Sequence, residues 1–334
     1  MSLKVSVVIP IRNGEGDVPG LVAQLKDLQL AEAEILIVDD QSTDSTRQRL
    51  LSAMSSLPAM RVLEGRGEGV AAARNLAVRE SRAEFIWFAD SDDFWSPTIV
   101  ADLLEAADMH DADLVLCNAA KRVLGSEDDE LIRDAQGVAP ISAVEFLQMI
   151  LVGHVQGHLW NKLFRRTVLG DGPFPPTRAH SDLGGILRVV PRLSRIASVD
   201  KTLYTYLVRQ GSILNSRSYR WEDLTDCRDL ARSAVTALNM SANDKTLRIF
   251  SCTHVILPLL NESIRRGALI GRSKQREVWQ TCKDLYTWRD LNTLAKAGHA
   301  GASLKLAVFR LHSPTYAFAY RWYRRRRWAG LDEF

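Results

Sequence analysis

Three carboxylates crowd the six residues Phe88-Ala89-Asp90-Ser91-Asp92-Asp93, directly after an apolar run. Like charges this close repel one another unless a cation lies between them. Hard oxygen donors suit Mg²⁺ or Mn²⁺, ions that share their shell with phosphate groups. A solvated acidic turn that caps the next helix is the plainer reading. It needs one Asp, not three, and the preceding residues are too apolar for a free surface. Asp39-Asp40-Gln41-Ser42-Thr43-Asp44 is a second acidic cluster of the same kind. Helix capping alone accounts for it, and so does capping combined with contact to a nucleobase or ribose.

Gly65-Arg66-Gly67-Glu68-Gly69 opens an alanine-rich segment and has backbone amides to offer a phosphate. It lacks the Lys-Ser/Thr of a P-loop and the GxGxxG order. Arg74 and Asn75 interrupt Ala71–Ala73 and Leu76–Ala77. An Arg on an apolar helix face commonly holds a carboxylate or phosphate. His154 and His158 are four apart, but no HExxH glutamate accompanies them, and Gly153 and Gly157 weaken a helix there. Trp160 and Trp95 suit either the face of a sugar ring or the core.

These residues need a frame. Lys4–Ile11 and Glu34–Val38 are continuous apolar, β-branched runs, the mark of strands buried on both faces. Shorter strands are expected at Arg61–Leu63, Glu84–Ala89 and Asp113–Cys117. Helices are expected over Val18–Leu30, from a Ser42/Thr43 cap to about Leu57, over Val70–Ser81, and from Pro97 to about His110. Such alternation predicts βαβ units, a mostly parallel sheet and helices on both faces. The polar clusters follow strand ends, where open α/β sheets bind ligands. Residues 125–140 read as a loop, 141 to about 215 as helices with short strands, and Trp221–Trp328 as helical. Turns are expected near Asn239–Asp244, Gly267–Ser273 and Gly298–Ser303.

The chain has 334 residues and ordinary globular composition, long enough for two domains. Its net charge of +3 hides an asymmetry. Residues 1–130 carry 12 Lys/Arg against 24 Asp/Glu, and the remainder 31 against 16. An acidic front half argues against nucleic acid as a partner; the basic back half suits phosphates or an anionic membrane surface. The end of the chain, YAFAYRWYRRRRW, interleaves five arginines with aromatics, as lipid interfaces do. Cys117, Cys227, Cys252 and Cys282 are widely spaced and read as buried free thiols of a reducing compartment. With no secretory signal pattern and no apolar span, a cytoplasmic location is expected, with peripheral docking at the inner face of the plasma membrane.

Four segments in order resemble the family 2 glycosyltransferases: VSVVIPIRNG (5–14), ILIVDDQSTDST (35–46), GEGVAAARNLA (67–77) and FIWFADSDDFW (85–95). LWNKLFRR (159–166), Ser181-Asp182 and LYTYLVRQGSI (203–213) continue the resemblance, which covers roughly residues 3–215. It implies a GT-A fold over 1–215, with a nucleotide-sugar half (1–120) and an acceptor half (121–215), followed by a helical region (216–334). It implies inverting transfer of a sugar from a nucleotide diphosphosugar, UDP-linked by preference, to a hydroxyl of a saccharide or lipid-linked acceptor. Asp39 and Asp40 match the family's nucleobase-contacting aspartates, and Arg74 a nucleotide-site arginine. Asp90, Asp92 and Asp93 match its DxD site for Mn²⁺ or Mg²⁺, and Asp182 its general base, usually written Glu-Asp. Ser181 replaces that Glu here. The matching motifs also place Pro10, Arg12, Gly67, Ser91 and Arg209 on the donor side. His158, Trp160, Lys162 and His180 fall on the acceptor side. A non-catalytic glycosyltransferase-like scaffold and a nucleotidyltransferase remain as alternatives.

Overall fold

The computed structural model describes residues 3–29, 32–125, 128–135, 139–177, 179–208, 222–241 and 244–327. Two compact units divide the chain, Met1–Asp223 and Leu224–Phe334. Leu30, at the end of the first expected helix, lies outside the described residues, as do Arg209 and Trp328.

The first unit is built on a sheet of nine strands among the described residues. Four of them run parallel in the order β3 (Met60–Glu64), β2 (Ala33–Asp39), β1 (Val5–Ile11), β4 (Phe85–Phe88). These are the β-branched and aromatic runs seen in the sequence, and nearly all of their side chains in β1, β2 and β4 are buried. Helices α1 (Val18–Asp27), α2 (Thr46–Ala53) and α3 (Val70–Glu80) make the crossovers. Register puts the strand ends on one side of the sheet: Ile11 pairs with Asp39, and Phe88, the end of β4, with Val8, three residues short of the end of β1. Both acidic clusters and the Arg12 turn therefore leave the sheet along one edge.

Beyond β4 the sheet is mixed rather than parallel. β8 (Lys162–Arg165) runs antiparallel to both β4 and β6 (Leu114–Val123), and β6 pairs in parallel with β9 (Ile196–Val208). Helix α4 (Ile99–His110) precedes β6, α5 (Ala143–Val152) and the one-turn α6 (Arg166–Leu169) flank β8, and α7 (Ser181–Val189) precedes β9. β9 spans 13 residues where short strands were expected. Its far end also pairs with β5 (Phe94–Trp95). The expected loop at 125–140 contains β7 (Asp129–Ile132), paired to the end of β6. Its charged residues hid it: Arg122 and Lys121 face Asp129 and Glu130 across the hairpin as ion pairs of 2.7 and 3.0 Å.

Ser42 and Thr43 do not cap α2. The Asp44 carboxylate accepts from the Thr46 amide, while Ser42 and Thr46 hydroxyls accept from the amides of Asn13 and Gly14. The cluster thus ties the loop after β2 to the loop after β1.

Helices α8 (Glu222–Ala237), α9 (Lys245–Phe250), α10 (Leu257–Arg265), α11 (Gly267–Asp284), α12 (Trp288–Lys296), α13 (Ala300–Leu311) and α14 (Ser313–Arg327) make up the rest of the described chain. One π-helical segment joins α9 to α10. The turn expected near 267–273 is a break inside α11 at Gly271, whose φ of 76° a glycine tolerates best. All four cysteines are free and buried. No helix among the described residues is long and apolar enough to cross a membrane.

A buried polar knot underlies the segment before β8. Asp134 accepts from the Gln156 amide at 2.9 Å, the Asn161 side chain at 2.8 Å and the Lys162 ammonium at 3.3 Å. Asp134, Asn161 and Lys162 are all but inaccessible to solvent. Replacing one member strands a buried charge. Lys162→Met should therefore cost about 3–5 kcal/mol in urea unfolding. Lys162→Met with Asp134→Asn should recover more than half of that loss; strictly additive costs would contradict the pairing.

Candidate active site

The site expected on the donor side begins at the ends of β1 and β2. Pro10 is half-buried and Arg12 is exposed on the turn that follows. Asn13 adopts φ 51° and its side-chain oxygen accepts from the Thr43 amide at 2.7 Å. Asp39 accepts from the Ser42 amide at 3.2 Å and lies 3.7 Å from the Arg47 guanidinium. Asp40 is buried, and its two oxygens accept from the amides of Gly67 and Gly69, each at 2.8 Å. The glycine-rich loop thus turns two of its amides onto an internal carboxylate. Gly65 is required there: a Cβ would sit 2.6 Å from Asp40 Oδ1.

The centre of the site is Arg74, on α3. One arm of its buried guanidinium donates to Asp90 Oδ1 at 2.8 Å, the other to Asp182 Oδ1 at 2.5 Å. Burial alone would lower the guanidinium's affinity for its proton. Asp182 and Asp90 outweigh it, and the pKa is raised. The Asp90 carboxyl is pushed up by burial, held back by Arg74, and pushed further by Asp182 and Asp92. One guanidinium therefore joins two carboxylates. Arg74 Nε is buried with no partner among the described residues. Asp182 takes both of its hydrogen bonds, from Arg74 and Ser181, on Oδ1. Asn75, next to Arg74 on α3, clamps the amide and carbonyl of Phe174 at 3.0 and 2.8 Å, fixing the segment that leads into α7.

Ser91 and Asp92 are half-buried in the turn after β4. Asp93 does not join the expected trio. It is turned into the protein, where its oxygens accept from the Tyr204 hydroxyl and the Leu207 amide, each at 2.8 Å. Burial and Asp90 push its carboxyl up to about 8. Tyr204 also accepts from the Asp90 amide at 3.2 Å, so a residue of β9 fixes both ends of the acidic turn. Among the described residues, no set of three or more His, Cys, Asp or Glu side chains is disposed as a metal cage.

The acceptor-side residues separate into two groups. His158 stacks on Trp160 and Trp160 on Tyr204, each pair 4.6 Å apart and within 15° of parallel. Tyr206 lies beside them, 6.1 Å from Trp160. Trp160 is buried at the middle of this stack, and Trp95 borders Tyr204. Burial and the Lys162 charge push the His158 imidazole down to about 4. His180, in a left-handed conformation, precedes α7, and burial lowers its pKa. Lys162 is not brought to this surface, being enclosed with Asp134. Tyr204 and Tyr206 were missed in the sequence. Their spacing of two on a strand, which places both on one face, was the available signal.

A parallel half joined through an antiparallel strand to a mixed half, with carboxylates at the junction, is the arrangement of a glycosyltransferase of GT-A fold. Residues 1–349 of Staphylococcus aureus TarS, solved with UDP-GlcNAc, superpose with a TM-score of 0.71 over 92% of both chains at 20% identity. The mannosyltransferase PcManGT of Pyrobaculum calidifontis, solved with GDP-Man and Mn²⁺, gives 0.50 over 94% of this chain and 88% of that one, at 17% identity. Residues 6–171 match the family model described as glycosyl transferase family 2, and the chain belongs to that family. The Bacillus subtilis protein EpsH is 27% identical over 299 residues, 84% of this chain and 83% of EpsH.

Two measurements probe this site. Arg74→Met should destabilise the protein by on the order of 3 kcal/mol, because two partly enclosed carboxylates lose their shared cation. Arg74→Lys should fall between it and the native protein, since an ammonium keeps the charge but not the fork. The His158 pKa lies below its unfolded value near 6.5, so the unfolded chain alone takes up a proton as pH falls from about 6.5 to 4. Stability should fall across that window. His158→Phe should flatten the fall by on the order of 1–3 kcal/mol; parallel curves would place His158 in solvent.

Proposed function

We propose that this glycosyltransferase transfers a sugar, with inversion, from a UDP-linked donor to a hydroxyl of a cell-surface saccharide or a lipid-linked saccharide. Asp182 is its general base. The observation that carries the reading is the Arg74 bridge between Asp90, at the end of β4, and Asp182, at the start of α7. It holds a donor-side carboxylate and an acceptor-side carboxylate at a fixed separation.

Each residue then has a chemical task. Asp182 keeps Oδ2 free of hydrogen bonds among the described residues, and that oxygen takes the proton of the attacking hydroxyl. Arg74 orients it. Arg74 Nε, without a partner among the described residues, leaves one N–H that an anionic group could take. Asp39, Arg12, Pro10 and the loop around Gly67 border the nucleotide, with Asp40 shaping that loop. Ser91 lies on the same donor side. Asp90 and Asp92 fit a hard divalent cation, Mn²⁺ or Mg²⁺: both supply carboxylate oxygens, and Asp90 Oδ2 takes no hydrogen bond among the described residues. Such an ion supplies positive charge to a departing diphosphate. His158 and Tyr206, backed by the buried Trp160, form the aromatic border suited to an acceptor sugar, and His180 lies close to Asp182 in sequence. The UDP assignment draws on the TarS complex, and the reducing, cytoplasmic setting on the four free thiols. The boundary between the catalytic domain and the helical region is placed near residue 215.

The test is a thermal-shift panel of UDP, dTDP, GDP and CDP, with and without Mn²⁺. Ligand at 100 times its Kd should add about 2.7 kcal/mol. A Mn²⁺-dependent shift with UDP is expected, lost in Asp92→Ala; no shift with any nucleotide would overturn the donor assignment. Asp182→Asn should keep the UDP shift and lower turnover about 10²-fold or more. Near-native turnover would remove Asp182 from the base role.

A further inference from the structure

The last two helices are apolar on two sides. α13 turns Leu306 and Phe309 inward and packs Phe309 against Tyr316 of α14 at 5.8 Å. On the opposite face of α13, Leu304 and Leu311 lie seven residues apart and are 67% and 75% exposed. α14 repeats the pattern. Ser313, Tyr316 and Ala317 are buried, whereas Phe318 and Trp322, one turn apart, are 72% and 51% exposed. A helix that needs only one apolar face for its own unit has no use for a second one in water.

The sequence around that second face is strongly cationic. Residues 291–331 contain no Asp or Glu, yet carry two lysines and six arginines. Helical spacing puts Arg321 and Arg325 on the face of Phe318 and Trp322. The Arg326 guanidinium lies over the Trp322 ring at 4.2 Å. A cationic run repels itself, so solubility alone would favour some carboxylates within it. Cations flanking exposed Leu, Phe and Trp match an anionic bilayer surface, where the rings enter the headgroup layer and the guanidinium groups stay with the phosphates.

We propose that the outward faces of α13 and α14 form a docking surface for an anionic lipid bilayer, lying in its interface without crossing it. This goes beyond the donor and acceptor reading and does not rest on it, because the binding needs neither nucleotide nor sugar.

The test is co-sedimentation of the full chain with vesicles of phosphatidylcholine alone or with 30% phosphatidylglycerol. Binding is expected only with the anionic lipid, weakening as salt rises. Arg321→Gln/Arg325→Gln/Arg326→Gln should bind roughly 10²-fold more weakly, at about one decade or less per cation removed. Phe318→Ser/Trp322→Ser should also lose binding, with Trp fluorescence no longer blue-shifted by vesicles. Both variants change exposed residues, so unchanged melting separates lost docking from lost folding. Equal binding to both vesicle types, or unchanged binding by either variant, would overturn the proposal. So would a concentration-dependent dimer, abolished by Phe318→Ser/Trp322→Ser, in a chain that ignores vesicles, since the partner would then be a second copy. Retention on duplex DNA but not on vesicles would assign the cations to nucleic acid instead.

Discussion

The arrangement of the first unit hangs on a buried guanidinium. Arg74 is 16 residues from Asp90 and 108 from Asp182 in sequence, and it brings the two carboxylates to its two arms. Neither carboxylate would lie beside the other without it, and the guanidinium would not be buried without them. The geometry is also costly to undo, since removing any member leaves charge in a medium that solvates it poorly. The planar fork explains why an arginine stands here: an ammonium has no two fixed edges to present to separate segments.

Around that point the sequence was legible in proportion to how local the signals are. Strands β1, β2 and β4 announce themselves as unbroken apolar runs, because both of their faces are covered. That their ends fall on one side of the sheet then follows from parallel pairing. The far half of the sheet was not legible. β7 is hidden by the charges that pair it to β6, and β5 has only two residues. The direction of β8 depends on partners some fifty to eighty residues away in sequence. Periodicity carries no information about such pairing.

The site residues divide along the same line. Arg74 stood out as a charge on an apolar helix face, and its partners Asp90 and Asp182 were both singled out, though nothing in their spacing says that one side chain joins them. Asp93 and Lys162 misled for a shared reason. Each is a charged residue beside a recognisable motif, and each has its partners inside the fold, Tyr204 in one case and Asp134 in the other. A residue type names the chemistry available, whereas burial and partner decide whether it faces a ligand. Tyr204 shows the converse. As one aromatic among several in a strand it drew no notice, yet its hydroxyl spans the acidic turn and its ring carries the stack that reaches His158.

The carboxylate of Asp40 has a consequence of its own. By occupying the amides of Gly67 and Gly69 it acts as a resident anion, supplied by the chain itself. A loop of three glycines in five residues would otherwise sample many shapes, and a ligand would have to pay the entropy of choosing one. Here that choice is made once, at folding. The loop is therefore shaped before any ligand arrives, by a bond partner that never leaves.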